Sequence, residues 1–143
     1  MLTLAQYAMA AFSLGVLGSL LFLGRGPERC ASVALLVAMF GTPFVDHISL
    51  EGVRVGVAGL AVALFFALAT LALFANRWWL IAAAGVQLIS IGSWVVMFSG
   101  AEAQVWAGVS FRMIVWMELM VLGAVGLLEA RRAPYIVRSE AEV

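Results

Sequence analysis

Arg112 and Glu118 lie inside the apolar run at residues 105–128, VWAGVSFRMIVWMELMVLGAVGLL, the one long run that holds charges of both signs. On a helix, six residues of separation put them about 120° apart in rotation and roughly 9 Å apart along the axis. Pairing within one helix needs a spacing of three or four. Each charge therefore needs a partner from elsewhere. A charge at the bilayer centre costs on the order of 2.5–3.5 kcal/mol on insertion scales, and Glu118 falls near the middle of its run. Folding residues 78–98 back against 105–128 about the short turn at 99–104 puts Gln87 and Glu118 at equal depth. They form a candidate intramembrane polar pair, an amide against a carboxylic acid. As structure, such a pair is interhelical glue, worth about 0.6 kcal/mol on average. As function, it is a protonatable carboxylate on a transport path, or a contact for a partner subunit.

Arg112 sits about two turns from the start of its run. Its long stem is expected to snorkel outward toward Asp46, His47, Glu51 and Glu102, a candidate outer-side polar cluster, with Trp116 covering the guanidinium. Catalytic templates are missing from the sequence: there is no H-E-x-x-H, no G-x-S-x-G and no phosphate-binding glycine loop. A single histidine cannot supply both axial ligands of a haem, nor a single cysteine a dithiol couple. Asp46 and His47 with Glu51 fall short of the three or four convergent ligands of a metal site. They read as a polar loop that caps helix ends. The expectation is no metal, no cofactor and no enzyme chemistry.

The elements that must hold these residues follow from composition. Hydrophobic residues make up 65% of the 143 and charged residues 11%, with a mean hydropathy of +1.11. A soluble domain is nearer half apolar and a quarter charged, so most of this surface must face lipid. The formal net charge is zero, which gives nucleic acid no handle. Cys30 is the single cysteine, so no intrachain disulfide forms and the redox compartment is unreadable. The first residues carry no basic side chain, and the first apolar run ends without a small-residue cleavage pattern. It reads as a retained span rather than a signal peptide.

Five runs reach the roughly 17–25 apolar residues that a spanning helix needs: 4–23, 29–45, 53–75, 78–98 and 105–128. They predict an all-α, up-and-down bundle of five transmembrane helices, followed by a polar cytoplasmic tail at 129–143. The second run is the shortest, and a four-span alternative would demote it. Pro43 near its far end is expected to kink or close the helix. Ala11, Gly15 and Ser19 form a small-residue stripe on the first run, as do Gly52, Gly56 and Gly59 on the third. Arg77, Trp78 and Trp79 read as interface anchors at the headgroup level. With the N-terminus outside, Arg25, Arg29, Arg77, Arg131, Arg132 and Arg138 fall on the inner side and only Arg54 on the outer. That is the bias expected of a membrane protein with a cytoplasmic C-terminus.

Glu28-Arg29 opens the second run and Thr42-Pro43 closes it. Arg77-Trp78-Trp79, Ala84-Gly85-Val86-Gln87-Leu88 and Glu129-Ala130-Arg131-Arg132 follow. In these motifs the chain resembles an uncharacterised family of small multi-span bacterial inner-membrane proteins. The resemblance covers about the last three-quarters of the chain. It implies a location in the bacterial inner (cytoplasmic) membrane and no particular chemistry. The expected partners are the lipid bilayer and a homo-oligomer or membrane-protein partner. The expected role is an accessory, assembly or interaction subunit of a membrane complex. The alternative is a small proton-coupled transporter or channel subunit, oligomeric and acting through Glu118.

Overall fold

The computed structural model describes residues 4–50, 54–98 and 105–132. Glu51, Glu102, the turn at 99–104 and the tail beyond 132 lie outside the described residues. Five helices fill the rest: α1 (Leu4–Leu23), α2 (Gly26–Val45), α3 (Val55–Ala75), α4 (Trp78–Phe98) and α5 (Val105–Arg132). Among the described residues, α2, α3, α4 and α5 each have a stretch long and apolar enough to cross a bilayer, and Tyr7–Leu23 of α1 is a shorter apolar helix. This is a multi-pass helical membrane protein. The outer faces agree: Leu73 is 84% exposed and Phe74 86%, a placement that lipid tolerates and water does not.

The helix ends follow local chemistry. α2 starts three residues before the apolar run does. Pro27 needs no donor in the first turn, and the Glu28 carboxylate accepts the Arg25 N–H at 3.1 Å. Pro43 closes α2: two residues later the helix ends, with the Asp46 N–H donating to the Thr42 carbonyl at 3.0 Å. The Thr42 hydroxyl donates to the Ala38 carbonyl at 2.7 Å. α3 ends on Asn76 in the left-handed conformation, φ 49°. That is a common helix stop, and asparagine tolerates it better than most non-glycine residues. α5 runs past the expected tail boundary at 129, because Ala130 is buried and Glu129 faces the bundle.

Short connections make neighbouring helices antiparallel. α1 packs on α2, α2 on α3, α3 on α4, α4 on α5, and α5 returns to α1. The bundle is thus a ring in chain order, closed by its first and last helices. One end carries the α1–α2 and α3–α4 turns and the C-terminal end of α5. The other carries the α2–α3 connection. Lipid supplies no hydrophobic drive between helices, so packing and polar bonds must hold them. The Ser32 hydroxyl donates to the Leu17 carbonyl (2.7 Å), tying α2 to α1. The Trp116 indole N–H donates to the Ser13 hydroxyl (2.9 Å), tying α5 to α1. The Gln87 amide donates to the Ala61 carbonyl (3.1 Å), tying α4 to α3.

Close approach happens where side chains vanish. A Cβ on Gly56 would overlap the Val45 carbonyl oxygen, so the start of α3 lies directly against the end of α2. A Cβ on Gly126 would fall 2.6 Å from ring carbons of the fully buried Trp79. By contrast nothing lies within 4 Å of a Cβ on Gly15 or Gly59. Ala11, Gly15 and Gly59 are exposed and Ser19 is half-buried, so neither small-residue stripe is consumed whole by the bundle.

Candidate functional site

A cavity of about 370 Å³ lies between the helices, and all five contribute to its wall. Gln87 and Ser90, both from α4 and both buried, place polar groups in its largely apolar wall. Among the described residues no hydrogen bond is made by the Ser90 side chain. Toward the α2–α3 end the wall becomes charged, with Asp46, Arg54 and Arg112. Arg54 and Asp46 pair at 2.8 Å and are half exposed, so the cavity reaches the bundle surface there. Leu60, Leu64, Val115 and Leu119 supply apolar wall.

Arg112 is turned into this cavity. Its guanidinium lies 5.1 Å from the centroid of the Trp94 ring, a cation–π geometry. The expected cover was Trp116. That residue is committed to Ser13 instead, and Trp94 of the neighbouring helix takes the role. Among the described residues, Arg54 repels Arg112 and Asp46 attracts it. Of the predicted outer cluster, Arg112 and Asp46 therefore share one cavity, while His47 is exposed and lines none of it. Glu51 and Glu102 are outside the described residues.

The Gln87–Glu118 pair does not form. Gln87 points inward to the Ala61 carbonyl and is 4% exposed. Glu118 is exposed on the outer face of α5. Counting from the turn fixed height and left rotation open. Val86 lines the same outer groove as Glu118, but one residue further the helix has turned about 100°. This groove, about 1140 Å³, is bordered by α1, α4 and α5 and is walled by Phe12, Val121 and Leu122 among others. A second, smaller groove continues between α1 and α5 along Phe12, Gly15, Ser19 and Ala124. Met9 and Met113 line both the outer groove and the central cavity, so they form the partition between the two.

The interface-anchor reading fails for two of its three residues. Trp78 is 54% exposed, but Arg77 is 5% and Trp79 0% exposed. Arg77 is drawn inward by two carboxylates. Its Nε lies 3.5 Å from Glu28 Oε1 and its Nη1 4.0 Å from Glu129 Oε1. Glu28 is fully buried. Local patterns do not assemble this cluster, yet its signal is present in the sequence. Alternating spans put the start of α2, the start of α4 and the end of α5 on one side, and each of these ends carries one of the three charges.

Gln87 is expected to matter modestly. Gln87→Met should lower thermal stability in mild detergent by about 0.6 kcal/mol, the average for interhelical polar bonds in a membrane. The Ala61 carbonyl keeps a helical position, so little else is lost.

The fold and these sites define a ring-closed, multi-pass helical membrane protein with a largely apolar cavity that carries a few polar and charged groups. No family model matches the chain, and comparison with curated proteins and with solved structures gives no match either.

Proposed function

We propose that this chain is an interaction subunit of a membrane complex, docking the transmembrane helix of a partner protein along the outer groove of α1, α4 and α5. Glu118 carries this reading. An exposed carboxyl group within a membrane-spanning helix is expensive, and such residues mark contacts in membranes. Its neighbours Ile114, Met117 and Val121 are all about half exposed, so nothing among the described residues covers it. A partner helix with a hydrogen-bond donor or a basic side chain at that depth would satisfy it. Methionines at the rim adapt to the shape of an incoming surface. The two grooves share Phe12 and together follow α5 from Met113 to Leu128, an apolar path of the kind a single helix fits. A proton path through Glu118 draws little support from its position, because the carboxylate lies outside the ring and away from the central cavity. The Arg distribution favours an external N-terminus and a cytoplasmic C-terminus, and the sequence resemblance favours a bacterial inner membrane.

Two arms test this reading. A photocrosslinking residue at Val121 should yield one discrete adduct in native membranes, and the same residue at Leu73 on α3 should yield none. The protein crosslinked at Val121 should co-purify with the wild type and with Glu118→Gln, and be lost from Glu118→Leu. A chain that purifies as a monomer with no adduct at Val121 is not a docking subunit. An adduct of the chain with itself would assign the groove to a homo-oligomer.

A further inference from the structure

The outer groove leaves the interior unexplained. Arg112 is held within a membrane-spanning segment, and among the described residues no carboxylate pairs with it. Arg54 has its own carboxylate at 2.8 Å. The described wall of the cavity thus carries two guanidinium groups against one carboxylate. An arginine retained at this depth needs a counter-charge. Its planar head is already fixed over Trp94, which leaves its N–H edge preorganised for a carboxylate or phosphate.

The remaining wall describes the rest of the ligand. Leu60, Leu64, Val115 and Leu119 are apolar, and Gln87 and Ser90 add a polar patch. A free inorganic anion would leave the apolar volume unfilled. About 370 Å³ is within the ordinary range for small-molecule sites. The partition toward the bilayer consists of Met9 and Met113. Methionine is unbranched and has three rotatable side-chain bonds, so this wall can be displaced by a ligand already dissolved in lipid.

We propose that the central cavity binds an amphipathic organic anion, a carboxylate or phosphate head on a hydrocarbon body, with Arg112 on the head and the body against Leu64 and Leu119. The ligand reaches the cavity from the bilayer past Met9 and Met113. This site is separate from the partner groove, since Glu118 does not line the cavity and Arg112 does not line the groove.

The test uses the purified full chain in nanodiscs of zwitterionic lipid. The probe is a nitroxide-labelled decanoate, read by quenching of tryptophan fluorescence, since Trp94 and Trp116 both line the cavity. Saturable quenching is expected, reversed by unlabelled decanoate or decyl phosphate. The labelled alcohol of the same length should bind about tenfold more weakly or worse, the worth of one hydrogen bond to a charged group. Arg112→Gln should erase the difference between acid and alcohol, while Arg112→Lys keeps part of it. If the alcohol quenches as well as the acid, the site is not an anion site and the proposal fails. If inorganic phosphate displaces the probe as well as decyl phosphate does, the hydrocarbon body has no role and the proposal fails equally. The wild-type arms decide both points without any variant having to fold. Loss of partner crosslinking at Val121 would leave these results untouched.

Discussion

Arg77→Met is expected to destabilise the bundle by about 3–5 kcal/mol, the cost of leaving a buried charge without its partner. Two carboxylates face this one guanidinium, and one of them, Glu28, is fully buried. Removing the arginine takes away the guanidinium that faces the fully buried Glu28 carboxylate. Arg77 also joins three elements, so its loss loosens the start of α2, the start of α4 and the end of α5 together. Thermal unfolding in mild detergent measures the effect, and hydrogen exchange should show it first at those three ends. The decisive comparison is the triple variant Glu28→Gln, Arg77→Met, Glu129→Gln. Replacing a whole buried ionic cluster is often neutral or stabilising, so the triple variant should recover most of the loss. A single Arg77→Met loss below about 1 kcal/mol, the scale of an exposed pair, would mean that the cluster is not held away from solvent.

Gly126→Val should cost about 1–3 kcal/mol through overpacking. A Cβ at this position lies 2.6 Å from Cδ2 and Cε2 of Trp79 and 2.7 Å from its Nε1. The obstacle is a rigid, fully buried ring rather than the tip of a flexible chain. Gly123 differs: there the nearest atom is the Leu20 Cδ1 methyl at 3.0 Å, which can turn away, so Gly123→Ala should be milder. Gly92 meets nothing within 4 Å, and Gly92→Ala should be neutral or slightly stabilising through helix propensity, by up to about 1 kcal/mol. Trp79→Leu in the Gly126→Val background should restore part of the loss. Unchanged melting of Gly126→Val would show that α4 and α5 can part without cost.

The helices were readable from the sequence because each apolar run is long and bounded by turn residues such as Gly24 to Pro27 and Asn76. Their inward faces were not. These helices are apolar nearly all round, so no amphipathic stripe marks the inside. Trp78 and Trp79 show the difficulty: adjacent, identical in type, one exposed and one buried. Depth could be counted from the turns, which put Gln87 and Glu118 near one level, but rotation depends on which faces interlock. Gln87 turned to a backbone carbonyl that no side-chain pattern announces. Arginine beside tryptophan fits a headgroup anchor in isolation, so the sequence around Arg77 points to the surface and not to the buried cluster. The partners of Arg77 lie 49 residues before it and 52 after, distances that local patterns do not span. The central cavity was legible in part: Arg112 and Asp46 belong to one polar cluster, and Gln87, Ser90 and Trp94 share one helix face by spacing, whereas Arg54 enters through packing.

Ring closure gives this protein a chronology. α1 lies against α5, so its second neighbour is the last of the five helices to leave the ribosome. Until then the Ser13 hydroxyl lacks Trp116, and Arg77 has Glu28 but not Glu129. The cavity also lacks one wall. A chain released after α4 would therefore hold an open trough with Trp94 at its edge and no Arg112 to cover it. Completion of α5 closes the ring, brings Glu129 to Arg77 and adds Arg112 to the interior site in a single event.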